Sequence, residues 1–101
     1  MKLNLEYNLH DIYGVEMKDD KGASLPLKRY VIDALLTPYQ DEQNLPGEDK
    51  IKRYELAKAV SQPGEVEMKV EDVALVKKLT GKLFTPLVIG QIWPLLDPKK
   101  D

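Results

Sequence analysis

Cysteine is absent from the 101 residues, and histidine, tryptophan and phenylalanine occur once each. Without cysteine there is neither a disulfide framework nor a thiolate metal site, which suits a reducing compartment. A single imidazole, His10, removes most metal-ligand sets and most acid–base constellations. Excess charge of one sign is missing as well. The 15 Lys and Arg set against 17 Asp and Glu leave a net −2, so no overall field draws the chain to nucleic acid or an anionic membrane. Long apolar runs are lacking too. The most apolar stretch, 83–96, reaches only about half to two-thirds of a bilayer span and contains Pro86, Gln91 and Pro94. The first residues alternate in polarity and lack the apolar block of a signal peptide, so the expected site is the cytoplasm.

What is present is the composition of one globular domain. A chain of about this length buries roughly 60–70% of its unfolded surface, enough for one modest core but not two. The expected domain spans 1–101, with 97–101 as a frayed tail. Leu3, Leu5, Tyr7 and Leu9 alternate with Lys2, Asn4, Glu6, Asn8 and His10, the period of a strand with one buried face. Tyr13, Val15 and Met17 continue the pattern more weakly, with Gly14 suggesting a bulge or an early bend. Asp19-Asp20-Lys21-Gly22 is a turn sequence, in which aspartate caps its own backbone and glycine accepts positive φ. No internal repeat is expected. Val66, Met68 and Val70 alternate with charged residues and predict a short strand able to pair with the N-terminal one.

Four helices account for most of the rest. Leu27, Tyr30, Val31, Ala34 and Leu35 form one apolar stripe, with Ser24 as the expected cap and Thr37-Pro38 as the stop. A polar loop follows, and a second helix is expected over 47–60. Its apolar positions Ile51, Tyr54, Leu56, Ala57 and Val60 spread over a wide arc that predicts two neighbours. A third runs from Glu71, burying Val73, Leu75, Val76, Leu79 and Leu83. Thr85-Pro86 starts a fourth, apolar nearly all round and therefore expected to be the central helix, with Pro94 bending or ending it. The expected fold is α+β: a two- or three-stranded antiparallel element packed on three to four helices.

No constellation of catalytic side chains emerges. His10 falls on the polar phase of the strand beside Asp11 and reads as an exposed hydrogen-bonding residue. The acids Asp19, Asp20, Glu42, Glu48 and Asp49 lack the spacing of a calcium loop; Asp19-Asp20 is better explained by turn chemistry and Glu48-Asp49 by helix N-terminal electrostatics. The chain is read as non-enzymatic, without metal or cofactor. Lys50, Lys52, Arg53, Lys77, Lys78 and Lys82 would make a basic stripe able to meet phosphates if their helices shared a side. Interleaved Glu48, Asp49 and Glu55 argue instead for solvated helix faces, and against nucleic acid. Tyr39 in the polar loop and Trp93 on the last helix are the candidate protein contacts, because aromatics concentrate at interface hot spots. The periodicity of Trp93 also fits a core position.

The order of segments adds a resemblance. The turn Asp20-Lys21-Gly22 is followed by the helix from Leu27 to Leu36, then by Pro46-Gly47-Glu48-Asp49-Lys50-Ile51-Lys52-Arg53-Tyr54-Glu55-Leu56-Ala57. After these come Glu71-Asp72-Val73-Ala74-Leu75-Val76-Lys77-Lys78 and Thr85-Pro86-Leu87-Val88-Ile89-Gly90-Gln91-Ile92-Trp93. Together they resemble a family of small bacteriophage and prophage proteins. The resemblance implies origin and a site of synthesis, and carries no active-site residues. Lys69, where such proteins favour a serine or threonine cap, and Pro94 depart from it. The expected function is a protein-binding module that docks on a phage or host protein. The alternatives are an assembly component of the phage particle, with a homo-oligomer as one form, and a weak nucleic-acid binder through the basic helix faces.

Overall fold

The computed structural model describes residues 2–96; the expected tail at 97–101 lies outside them. Element order is β1 (Lys2–Leu3), α1 (Leu27–Leu36), a 3₁₀ turn (Gln40–Glu42), α2 (Gly47–Val60), β2 (Val66–Glu67), α3 (Val70–Leu83) and α4 (Pro86–Leu96). Among the described residues, four α-helices and one two-stranded antiparallel sheet make a small α+β domain. Lys2 pairs with Glu67 and Leu3 with Val66. The predicted pairing of the two strands is thus present, but the ladder is short.

The N-terminal chain leaves β2 after Leu3 and turns to the start of α1. The Leu5 carbonyl accepts from the Lys28 N–H, the Tyr7 carbonyl from Leu27, and the Leu9 N–H donates to Leu25. Leu3, Leu5 and Leu9 are buried as their phase requires, but Tyr7 is 41% exposed. A strand keeps strict alternation only while a regular ladder holds its pleat. Here single bridges replace the ladder, and the long strand expected over the first nine residues is confined to Lys2–Leu3.

Two turns punctuate the connection to α1, and they are built alike. Asp11 and Asp19 each accept, on Oδ1, the N–H groups two and four residues ahead. The Gly14 and Gly22 N–H groups donate to the Asp11 and Asp19 carbonyls, and both glycines lie at positive φ, +88° and +82°. Of the bulge or early bend expected at Gly14 it is the bend that forms, and Asp-x-x-Gly recurs as a short local repeat where none was expected. Ser24 does not cap α1. Its hydroxyl donates to Glu16, while Pro26 holds the position before the helix with extended backbone.

Helix α1 is the centre of the molecule. Leu27, Val31, Ala34 and Leu35 are buried along one stripe, and the helix packs against both α2 and α3. Helix α4, expected to be central, packs chiefly on α3 and buries only Val88, Ile92 and Leu96. Trp93 and Leu95 stay more than a third exposed. Apolar content does not by itself enclose a helix; neighbours on several sides do, and α4 has one main helix neighbour. It continues through Pro94 to Leu96. In α3 Val73, Val76 and Leu79 are buried as expected, whereas Leu83 is 39% exposed. No helix among the described residues is long and apolar enough to cross a membrane.

Candidate functional site

The loop between α1 and α2 is where sequence and structure diverge most. Helix α2 buries Arg53 with Ala57 and Val60, spaced at i, i+4 and i+7, while Ile51 and Tyr54 face outward. The wide apolar arc expected of this helix is therefore split, and a cation sits in the buried stripe. A buried guanidinium needs a matching acceptor. The 3₁₀ turn supplies it: Arg53 donates to Glu42 through Nη1 at 2.7 Å and Nη2 at 3.0 Å. This fork is the strongest polar contact in the loop, and it holds the Glu42 carboxyl at about 2, well below the usual carboxylate range. Glu42 in turn raises the Arg53 guanidinium above its ordinary value. Lys82 on α3 completes the cluster, 3.0 Å from Asp41 Oδ2 and 3.4 Å from Glu42 Oε2.

Tyr39 stands at the centre of the same region. Its hydroxyl donates to the Ala34 carbonyl at 2.8 Å and also lies 3.3 Å from the Leu79 carbonyl, joining the last turn of α1 to α3. Burial raises its phenol. The Lys82 ammonium lies 5.2 Å from the ring centroid. Tyr39 is thus anchored by its polar tip, with part of its ring left to line a surface cavity.

That cavity, of about 490 Å³, lies between the end of α1, the loop and the first half of α2. Leu35, Leu36, Pro38, Tyr39 and Leu45 supply mostly apolar walls. Arg53 and Glu42 border it with their charges already matched to one another, and Lys50 lines it from α2. A second, more open depression continues along the loop from Gln40 to Pro46. The groove can enclose apolar side chains without stripping water from an unpaired internal charge. Among the described residues no group of three or more His, Asp or Glu could hold a metal ion.

The remaining predicted residues are scattered. Lys52 lies 3.3 Å from Asp72 Oδ1, close enough for an ion pair although not aligned as a hydrogen bond. Lys77 lies 5.2 Å from the centroid of the Trp93 ring, and Lys78 is exposed. With Arg53 turned inward and Lys82 held by acids, the six basic positions do not form one stripe. Trp93 rests on α3, where its indole N–H donates to Thr80 Oγ1 at 3.2 Å and its ring covers Gly81. It is 37% exposed, so it belongs partly to the core and partly to the surface. Tyr39 contacts Leu79 and Lys82, Trp93 contacts Thr80 and Gly81, and the two aromatics occupy different sides of α3. His10 is held through its backbone: Gln91 of α4 accepts from its N–H at 2.8 Å and donates to its carbonyl at 2.7 Å. Gln91, Leu36, Pro38 and Leu45 are not singled out by sequence as site residues, and Glu42 is weighed there only as a cation ligand, not as the partner of Arg53. The phase of Arg53 with Ala57 and Val60 was a readable signal for the buried pair.

In comparisons with protein-family models, curated proteins and solved structures, the chain matches none.

Proposed function

We propose that the chain is a non-catalytic protein-binding module whose groove receives a short apolar segment of another protein. The observation that carries this reading is the apolar cavity between α1 and α2, bordered by an ion pair that is satisfied without a ligand. Its volume lies within the range of pockets that enclose a small ligand or a few side chains. Lys50 lines the groove and makes no ion pair among the described residues, so the preferred segment carries a carboxylate beside its apolar anchors. The resemblance to small phage and prophage proteins makes the bound segment part of a phage or host protein, met in the bacterial cytoplasm. An assembly role in the particle would use the same groove. Nucleic-acid binding draws less support, because Arg53 and Lys82 are committed to Glu42 and Lys52 is paired with Asp72.

Selection of random displayed peptides on the immobilised protein tests the proposal. Enriched peptides are expected to combine large apolar residues with Asp or Glu, and to lose at least about tenfold in affinity, about 1.4 kcal/mol, on Leu36→Asp or Lys50→Glu. Absence of enrichment, or peptides that bind both variants as tightly as the parent, would overturn it.

A further inference from the structure

The two Asp-x-x-Gly turns share one backbone but carry different side chains. Asp11 and Asp19 accept the same pair of N–H groups, and Gly14 and Gly22 close each turn on the aspartate carbonyl. At the positions between aspartate and glycine, and just after the glycine, the second turn holds Asp20, Lys21 and Ala23. The first holds Ile12, Tyr13 and Val15 there, which are 78%, 89% and 62% exposed. Turn chemistry gives no reason for these large apolar side chains, since the sister turn forms without them. The bonds to Asp11 fix the backbone beneath them, and a pre-formed knob gives up little freedom on docking.

The groove at the end of α1 takes what this knob offers. Its walls are mostly apolar, and Lys50 lines it without an ion pair among the described residues. Asp11 stands at the base of the knob. Its Oδ1 serves the turn, while Oδ2 meets no donor or cation among the described residues; Asp19 differs, with Oδ2 3.7 Å from Arg29. Glu16 across the turn is already held by Lys18, Ser24 and Asn8. Among the described residues no other stretch this short exposes three large apolar side chains. The knob does not serve the groove of its own chain. Gln91 on α4 clamps both backbone groups of His10, and Leu9 is tied to Leu25 just before α1. The groove lies beyond the far end of that ten-residue helix, ~15 Å further on. We infer that the turn at 11–15 of one copy seats Ile12, Tyr13 and Val15 in the α1–α2 groove of a second copy, with the Asp11 carboxylate against Lys50. Knob and groove are different surfaces, so each contact leaves one of each free and the copies join head to tail. A single turn buries less than the ~1,200 Å² of a stable complex, so the association is weak and reversible. This pairing rests on the groove reading and names the segment that fills the groove.

Sedimentation equilibrium from micromolar to millimolar protein tests the pairing. The average mass of the parent chain is expected to rise with concentration and to pass that of a dimer. The variant I12D/Y13K/V15A gives the first turn the side chains of the second, and Leu36→Asp places a charge on the groove wall. Each alone is expected to stay monomeric. An equimolar mixture of the two should form a heterodimer and nothing larger, because one intact knob and one intact groove remain between them. That recovery also shows that neither variant has lost its fold. A parent that stays monomeric throughout overturns the inference, as does assembly that survives either variant or a mixture no more associated than its components. Displayed peptides separate this failure from failure of the groove itself. A monomeric parent that still binds them in a Leu36-dependent way loses the second copy and keeps the groove, whereas absence of such peptides removes both.

Discussion

Arg53 shows how one side chain organises a segment that has no regular structure of its own. Its guanidinium lies in the apolar stripe of α2 and is matched by the two oxygens of Glu42. Arg53→Met leaves the part-buried carboxylate with only the longer contact to Lys82, and should cost roughly 3 kcal/mol, the low end for breaking a buried pair. Replacing both residues with methionine should recover much of that loss, and a double-mutant cycle in urea measures the coupling. The pair also sets an acid limit. Glu42 is at about 2 in the fold against an ordinary 4.5, so the unfolded chain binds the proton more readily. Its contribution is present in full above about pH 4.5 and is lost as pH falls towards 2. Denaturant midpoints measured across that window should fall less steeply for Glu42→Gln than for the parent. Gly81 poses a closer contest. A Cβ there would come within 3.1 Å of Trp93 Cζ2. Gly81→Ala gains about 1 kcal/mol of helix propensity, and displacing the indole from Thr80 gives back about 1 kcal/mol of hydrogen bonding. Since the ring is partly exposed and able to shift, the change should leave stability within about 0.5 kcal/mol while moving tryptophan emission to the red.

The elements differ in how far their pattern reveals them. The stripe from Leu27 to Leu35 and the bounds of 47–60 follow from helical period and from proline and glycine at the ends, and both are found where the pattern puts them. Period cannot say what will cover a face. Helix α4 carries apolar residues on nearly every side, yet Trp93 and Leu95 remain partly in solvent because α3 is its one main helix neighbour. The groove was legible only in part. Tyr39 stood out as an aromatic in a long polar loop, but Leu36, Pro38 and Leu45 become a wall only when that loop folds back on Glu42 and Arg53. Such a contact is long-range, and no local spacing encodes it. The paired Asp-x-x-Gly turns are half-readable for another reason: Asp19 lies among charged residues, whereas Asp11 stands just before Tyr13, Val15 and Met17, whose alternation reads as strand. Gly14→Ala and Gly22→Ala meet no neighbouring atom, so each should cost about 1 kcal/mol from positive φ alone. Thermal unfolding of the two variants should show similar losses if the turns are equivalent.

At the scale of the whole molecule, the four helices and the short sheet hold α1 at the centre and leave α2 beside the apolar groove, with Ile51 and Tyr54 uncovered. The absences noted in the sequence take on a structural meaning here. With no cysteine and one backbone-held histidine, the groove offers apolar walls, a phenol anchored to carbonyls and an internally matched ion pair. That inventory suits holding a segment of another protein. The central claim is that this groove is where the segment binds. A ¹H–¹⁵N NMR titration of the labelled chain with the tightest displayed peptide tests it most directly. The account predicts saturable shift changes centred on Leu36, Tyr39, Leu45 and Lys50, with α4 and the turn at 19–22 unmoved. Changes centred on another surface, or none at peptide saturation, would contradict it.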